Sequence, residues 1–306
     1  MNRFLIGQYG KYDQDKQQRD FRAGFFGVEA CLFKSEKDIE LLLSESRKRD
    51  FQLAVHFPLR NKGWKLRDVQ FMSKDINCKK YAYEQIEAEL KYLSKIRPKY
   101  ILFHYPKPVL LDGEVDWSKW RFADPTEYYY DHEYSYQEFL KQSEELFRWL
   151  TEKSNRYNFT PVLEFDALNS YIYEKSGLCD LLERYSRMRI CLDIARLHLQ
   201  NKLDGNFDGY ALAQKYAKYA EVIHLSNLRV KDNLFNNHYP ALRRLKPEQG
   251  WADIAKYISI IKGENNQFKV LFEHRSELIS EQEPNYCYQW ISELVSSNRG
   301  LEEEKY

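Results

Sequence analysis

A closed α/β barrel, a (β/α)8 TIM barrel with eight parallel strands, is the fold this sequence predicts. Three observations point to it. Eight short apolar runs alternate with longer amphipathic stretches, the strand-then-helix order holds from one end to the other, and six of the runs finish on, or one residue past, a carboxylate or a histidine. The runs are Phe4 to Gly7, Phe26 to Phe33, Gln52 to His56, Tyr100 to His104, Pro161 to Glu164, Ile190 to Asp193, Glu221 to Leu225 and Lys269 to Glu273. Between them, Glu36 to Arg49, Tyr81 to Ile96, Tyr136 to Asn155 and Trp251 to Ile261 carry apolar residues at three- and four-residue spacing, the period of a helix with one buried face. Repeated strand–helix alternation implies parallel strands joined by right-handed crossovers, and a count of eight favours closure over an open sheet.

One domain spanning 1–306 is expected, because a single barrel of this length is ordinary. Hydrophobic content of 43% with 30% charged residues describes a globular chain, and no apolar run approaches the roughly 20 residues of a membrane span. Met1 to Gly7 reads straight into a strand with no signal-peptide pattern, which predicts a cytoplasmic protein. Cys31, Cys78, Cys179, Cys191 and Cys287 are odd in number and scattered, with no CxxC pair, so neither a disulfide framework nor a thiolate zinc site is expected. A formal net charge of +1 offers no general pull toward nucleic acid or anionic membrane.

The stretch Tyr105 to Tyr134 is about twice the length of a common βα loop. It is rich in acids and aromatics, including Trp117, Trp120, Phe122, Tyr128, Tyr129, Tyr130 and Tyr134. A loop following a strand sits on the catalytic face of such a barrel, so this one is either a lid or substrate-stacking loop, or an Ω-like loop packed on its own aromatics.

Charged residues seldom follow a buried apolar run unless they are paired or bind something. Here the last four strands end in order at Glu164, Asp193, His224 and Glu273. In a closed parallel barrel the C-terminal strand ends converge, so these side chains would share one mouth. Three carboxylates left alone there would resist ionising together. A divalent cation resolves the conflict, and an oxygen-rich shell with one imidazole suits Mn, Mg, Co or Zn. His56 and His104 end two further strands and could support a second metal or contact substrate, with Glu164 as a bridge. Glu29 lies inside the second run, facing substrate or held as a buried structural carboxylate. His132 is expected at the surface, and His274, next to Glu273, is expected to turn away from the interior and pack on a helix.

These phrases give the chain a resemblance to the xylose-isomerase-like TIM-barrel superfamily, which holds sugar and sugar-phosphate isomerases and epimerases, inosose dehydratases and endonuclease IV-type enzymes. The resemblance rests on Gly24 to Ala30, the Glu164 strand, Cys191-Leu192-Asp193, Ile223 to Asn227 and Leu271-Phe272-Glu273, and covers essentially the whole barrel. It implies Glu164, Asp193, His224 and Glu273 as metal ligands, with the two glutamates also serving as acid and base. The segment His238-Tyr239-Pro240 with Glu248 to Ile254 is similar to the family's stretch after the seventh strand, where a histidine sits near the site. Two positions depart. Arg196 stands where many members carry a histidine three residues after the sixth-strand Asp, the nearest histidine being His198, and Asn236 precedes His238 where the endonuclease branch has an Asp.

Two functional classes follow, with a third beside them. The first is a metal-dependent isomerase, epimerase or dehydratase acting on a small carbohydrate-like substrate, in which a glutamate removes a proton alpha to a carbonyl. Arg196, Arg229, Lys231 or Arg275 would hold a substrate phosphate or carboxylate, or stand as solvated strand-end charges. The second is an endonuclease IV-like phosphodiesterase, favoured by His56 and His104 and opposed by the neutral overall charge, the acidic loop and the departures at 196 and 236. The third is a barrel that binds a ligand without catalysis. No membrane is expected as a partner, and the residues leave a homo-oligomer open.

Overall fold

The computed structural model describes residues 1–230 and 234–296, with the side chains of 234–236 outside the description. Eight parallel strands close into a barrel: β1 Phe4–Tyr9, β2 Gly27–Cys31, β3 Gln52–His56, β4 Tyr100–Tyr105, β5 Thr160–Phe165, β6 Arg189–Asp193, β7 Ala220–Leu225 and β8 Lys269–Phe272. Each strand pairs with the next, and β8 returns to β1 through Phe4 to Val270, Leu5 to Leu271 and Ile6 to Phe272. The outer ring is α1 Gln14–Asp20, α2 Glu36–Arg49, α3 Ile76–Leu93, α4 Tyr136–Tyr157, α5 Ser170–Tyr173, α6 Gly177–Arg184, α7 Ile194–Leu203, α8 Gly209–Ala217, α9 Ile254–Glu264 and α10 Glu283–Ser296. This is the (β/α)8 barrel that the alternation predicts.

The helix starts follow from capping. Asp13, Ser35, Ser135, Asp208 and Asp253 each accept a backbone N–H from the first turn of the helix they precede. Asp75 does the same for Asn77 and Cys78, so α3 begins at Ile76 and not at Tyr81, where the apolar periodicity becomes visible. Ile76 is 71% exposed and the first buried residue of the helix is Ala82, so the first turn contributes no buried apolar stripe. In the same way α9 starts after its Asp253 cap, while Trp251 bridges to Arg229.

Strand alternation decides which residues enter the barrel. Ala54, Leu102, Val162, Cys191, Val222 and Leu271 form an interior apolar layer together with Leu5 and Tyr100. Two residues further along the same strands stand His56, His104, Glu164, Asp193, His224 and Glu273. Side chains two apart share a face, so a polar layer lies directly above the apolar one. Val55, Phe103, Leu163, Leu192, Ile223 and Phe272, of opposite parity, belong to the large core between barrel and helices.

Close strand packing also sets one glycine. A Cβ on Gly27 would lie 1.8 Å from the Gln52 carbonyl oxygen of β3. The clash is with backbone and cannot be relieved by a rotamer. Gly27→Ala is expected to cost about 3 kcal/mol through forced strand separation, readable as a lowered urea midpoint.

The stretch after β4 is folded on itself. Val109–Leu111 pairs in parallel with Tyr128–Tyr130, and Trp117 and Trp120 are buried in a separate cluster with Ala195, Leu199 and Leu228. The aromatics therefore anchor the loop, while its turn Trp117–Lys119 and the residues after it border the barrel mouth. Among the described residues, no helix is long and apolar enough to cross a membrane.

Candidate metal centre

Four side chains from β5, β6, β7 and the residue after β8 come together at the barrel mouth. Glu164 Oε1 lies 3.0 Å and Glu273 Oε2 3.3 Å from the same nitrogen, His224 Nδ1. Asp193 completes a group whose ligand atoms all lie within 4.8 Å of one another. Glu164, Asp193 and His224 are buried, whereas the Glu273 side chain keeps 34% of its surface. Both carboxylate oxygens of Glu164 and both ring nitrogens of His224 are buried without a hydrogen-bond partner. Orphaned polar atoms of this kind are costly, and a divalent cation bound by them removes the cost. The donor set, three carboxylates and an imidazole, thus fits such an ion.

A second group adjoins the first through Glu164, whose Oε2 lies 2.9 Å from His104 Nε2 and 3.5 Å from His56 Nε2. The two histidine nitrogens are 3.1 Å apart. Cations already stand beside them: Arg67 Nη2 is 2.8 Å from His56 Nε2, and Arg196 Nη2 is 3.1 Å from His104 Nε2.

Every histidine of the cluster has a carboxylate behind it. Asp68 Oδ2 lies 2.7 Å from His104 Nδ1, and Glu29 Oε1 stands 3.5 Å from His56 Nδ1 and 3.4 Å from His224 Nε2. Tyr100 donates its hydroxyl to Glu29 Oε2 at 2.6 Å and holds that carboxylate in place. A carboxylate behind an imidazole fixes the tautomer and leaves the opposite nitrogen free to ligate. All three opposite nitrogens face Glu164.

The charges are mutually tuned. Burial alone would raise the Glu29 carboxyl, but His224 and His56 outweigh it and hold it at about 2. Glu273 is likewise penalised by burial, yet its contact with His224 holds it at about 2. Asp193 is pushed upward, first by burial and then by Glu164 and Glu273, against the pull of Arg196. Burial disfavours charge on His224, but the Cys191 sulfur and the Glu164 and Glu29 carboxylates prevail and keep the imidazole protonated well above its ordinary range. A divalent cation must compete with that proton. Metal binding is therefore expected to strengthen as pH rises through neutrality and to release a proton, which calorimetry in buffers of differing ionisation enthalpy measures.

No family model and no curated protein matches this sequence. Solved structures do match in shape. A Thermus thermophilus protein soaked with ZnCl2 superposes with a TM-score of 0.59 at 15% identity, over 97% of this chain and 100% of that one. A D-tagatose 3-epimerase-like protein gives 0.60 at 12% identity, over 95% and 96%. A xylose isomerase domain-containing protein from Salmonella typhimurium gives 0.55 at 12% identity, over 96% and 98%. The fold these structures share with this chain is the closed (β/α)8 barrel. At these identities the likeness is one of fold.

Within this barrel, the side chains of Glu164, Asp193, His224, Glu273, His56 and His104 stand together, with His238 at the edge. The His238 Nδ1 is 3.1 Å from the Glu273 carbonyl oxygen, and the residue adopts a φ of 55°. Arg196 enters the centre, donating to Asp193 Oδ2 at 3.2 Å and to Asp166 Oδ1 at 2.8 Å. His198 points elsewhere, its Nε2 3.1 Å from the Gly250 carbonyl oxygen. Arg229 does not line the cleft; its Nε donates to the Gln249 carbonyl oxygen. Arg275 lines the larger cavity and pairs with Glu277 at 2.9 Å. Lys231 and the Asn236 side chain lie outside the described residues. His132 is exposed, and the buried His274 stacks on Tyr288 of α10.

Four polar residues of the mouth carried no reading from sequence: Asp166, Asp68, Arg67 and Lys107. Asp166 was findable, since it follows Glu164 by two and shares its face. Its carboxylate accepts from Lys107 at 2.7 Å and from the Trp120 indole at 3.0 Å. Two cavities, about 760 and about 330 Å³, open on either side of the centre and share Arg67 and His238 as lining.

Proposed function

We propose that this chain is a divalent-metal-dependent isomerase or epimerase that moves a proton on a small hydroxylated carbonyl compound of carbohydrate type. The observation that carries this reading is the placement of two glutamates against one imidazole nitrogen, one buried and one open to the larger cavity. A bound divalent cation would polarise a substrate carbonyl and make the neighbouring C–H acidic. Glu273, ionised at neutral pH and open to the cavity, takes the proton from that carbon. Glu164, on β5, is the second carboxylate of the pair. His224 between them keeps both oriented, and Asp193 is held by Arg196. The epimerase-like and zinc-soaked neighbours support the same reading.

The test is proton exchange. Metal-reconstituted protein incubated with ketopentoses and ketohexoses in D2O is expected to incorporate deuterium next to the carbonyl and to form the epimer or isomer, and chelation is expected to abolish both. If no sugar of the panel exchanges its proton at any added metal, the reading fails.

A binuclear phosphodiesterase is the competing reading, since His56, His104 and Glu164 form a ligand group of their own. The guanidinium groups of Arg67 and Arg196 against those two imidazoles oppose a second cation there and favour a single metal. An abasic-site nicking assay separates the two.

A further inference from the structure

We infer that the substrate carries an oxyanion, a phosphate monoester or a carboxylate, and that the long loop after β4 is the element that reads it. This rests on the isomerase or epimerase reading of the same cleft. The smaller cavity reaches His104 and Asp193 on the metal side, and the loop contributes Lys119, Trp120 and Arg121 to its lining. Six lysines and arginines face four carboxylates around it. The chain as a whole carries only +1, so the excess is local.

The pairing pattern shows which of these charges are already used. Lys107 is held between Asp68 at 3.2 Å and Asp166 at 2.7 Å, Arg196 is bound to Asp166 and Asp193, and Lys65 pairs with Asp124 at 2.8 Å. The Glu127 carboxylate is turned to the backbone N–H groups of Ala123 and Asp124. Lys119 and Arg121 are exposed and have no carboxylate within ion-pair distance among the described residues. Arg67 spends its Nη2 on His56 at 2.8 Å and comes only within 3.8 Å of Asp68, whose other oxygen already serves His104 and Lys107. The Arg67 Nε is buried with no hydrogen-bond partner.

A buried guanidinium N–H without an acceptor is expensive, and an oxyanion supplies one. Arginine's planar fork matches the oxygens of a phosphate or carboxylate, and two further cations on the loop add attraction at the same cavity. A neutral sugar hydroxyl would leave most of that charge unanswered. The substrate then spans the centre, its reacting carbons by Glu273 and Glu164 and its anionic end toward Arg67, Lys119 and Arg121.

Calorimetric titration of the metal-reconstituted full chain with inorganic phosphate tests the site, and kinetics on matched sugars test the substrate class. Phosphate is expected to bind, and the double variant Lys119→Ala with Arg121→Ala to weaken it about tenfold, the loss of two charge-assisted contacts at an exposed rim. Arg67→Lys, which keeps the charge and removes the fork, is expected to weaken it as well. Each ketose is offered neutral, as its terminal phosphate and as the corresponding keto acid, so the two anionic arms tell the sources apart. One charged form is expected to have a kcat/KM about tenfold above its neutral parent, with the double variant lowering that preference through KM. Absent phosphate binding, or binding that the double variant retains in full, overturns the oxyanion site. Equal kcat/KM on charged and neutral sugars overturns the substrate class and leaves the isomerase reading standing. Phosphate binding lost in the double variant, with no proton exchange on any sugar, upholds the site and overturns the isomerase reading. Both loop side chains are exposed, so an unchanged circular dichroism spectrum accompanies these results.

Discussion

Glu164→Gln is expected to abolish stoichiometric metal binding and to lower proton exchange by roughly three orders of magnitude. Glu164 is the hub of the centre: one oxygen faces His224 at 3.0 Å and the other faces His104 at 2.9 Å. Both oxygens are buried and lack hydrogen-bond donors, so the carboxylate depends on cations for its stability. His224, Arg196 and His104 overcome burial and hold it ionised well below the usual carboxylate range. The isosteric amide keeps shape and removes the charge, so loss of metal with a retained fold isolates the electrostatic role. Elemental analysis of purified wild type and variant is the measurement. A variant that keeps a full equivalent of metal would remove the basis for the centre.

Glu273→Gln is expected to separate the two functions, retaining metal at weakened affinity while cutting turnover by about 10²- to 10³-fold. Glu273 is the one ligand with substantial exposure, and it opens onto the larger cavity. A partly exposed ligand is replaced by water more readily than a buried one, so the remaining three can still hold a cation. The amide cannot accept a proton, so exchange into substrate falls while binding persists. The sign with pH follows from its depressed value of about 2: the base is already ionised through the neutral range and is lost only as pH falls toward that value. At saturating metal, Glu273 is therefore expected to contribute no acid limb to wild-type exchange above about pH 5.

The centre was legible in sequence to the extent that it obeys strand periodicity. Glu164, Asp193, His224, Glu273, His56 and His104 each lie within one residue of a strand end and stand two residues beyond an interior apolar residue, a pattern that needs no tertiary knowledge. Asp166 obeys the same rule but falls after its run has ended. Arg67, Asp68 and Lys107 come from loops, where no period relates a residue to the barrel axis. Arg229 shows the converse: a charge near a strand end that a local backbone contact draws away from the cleft. Glu29 was legible as inward-facing, but its service to two histidines at once depends on β2, β3 and β7 meeting across the barrel.

The barrel, its eight strands and the identity of its polar layer are readable along the chain, because short-range alternation and strand–helix order are written in neighbouring residues. The pairing of those groups is set by the closed fold. Which carboxylate stands behind which imidazole, which arginines intrude beside them and which cations of the aromatic loop stay unpaired all depend on contacts between residues tens to hundreds of positions apart. Those contacts form only when the sheet closes, and a linear pattern carries no record of their distance.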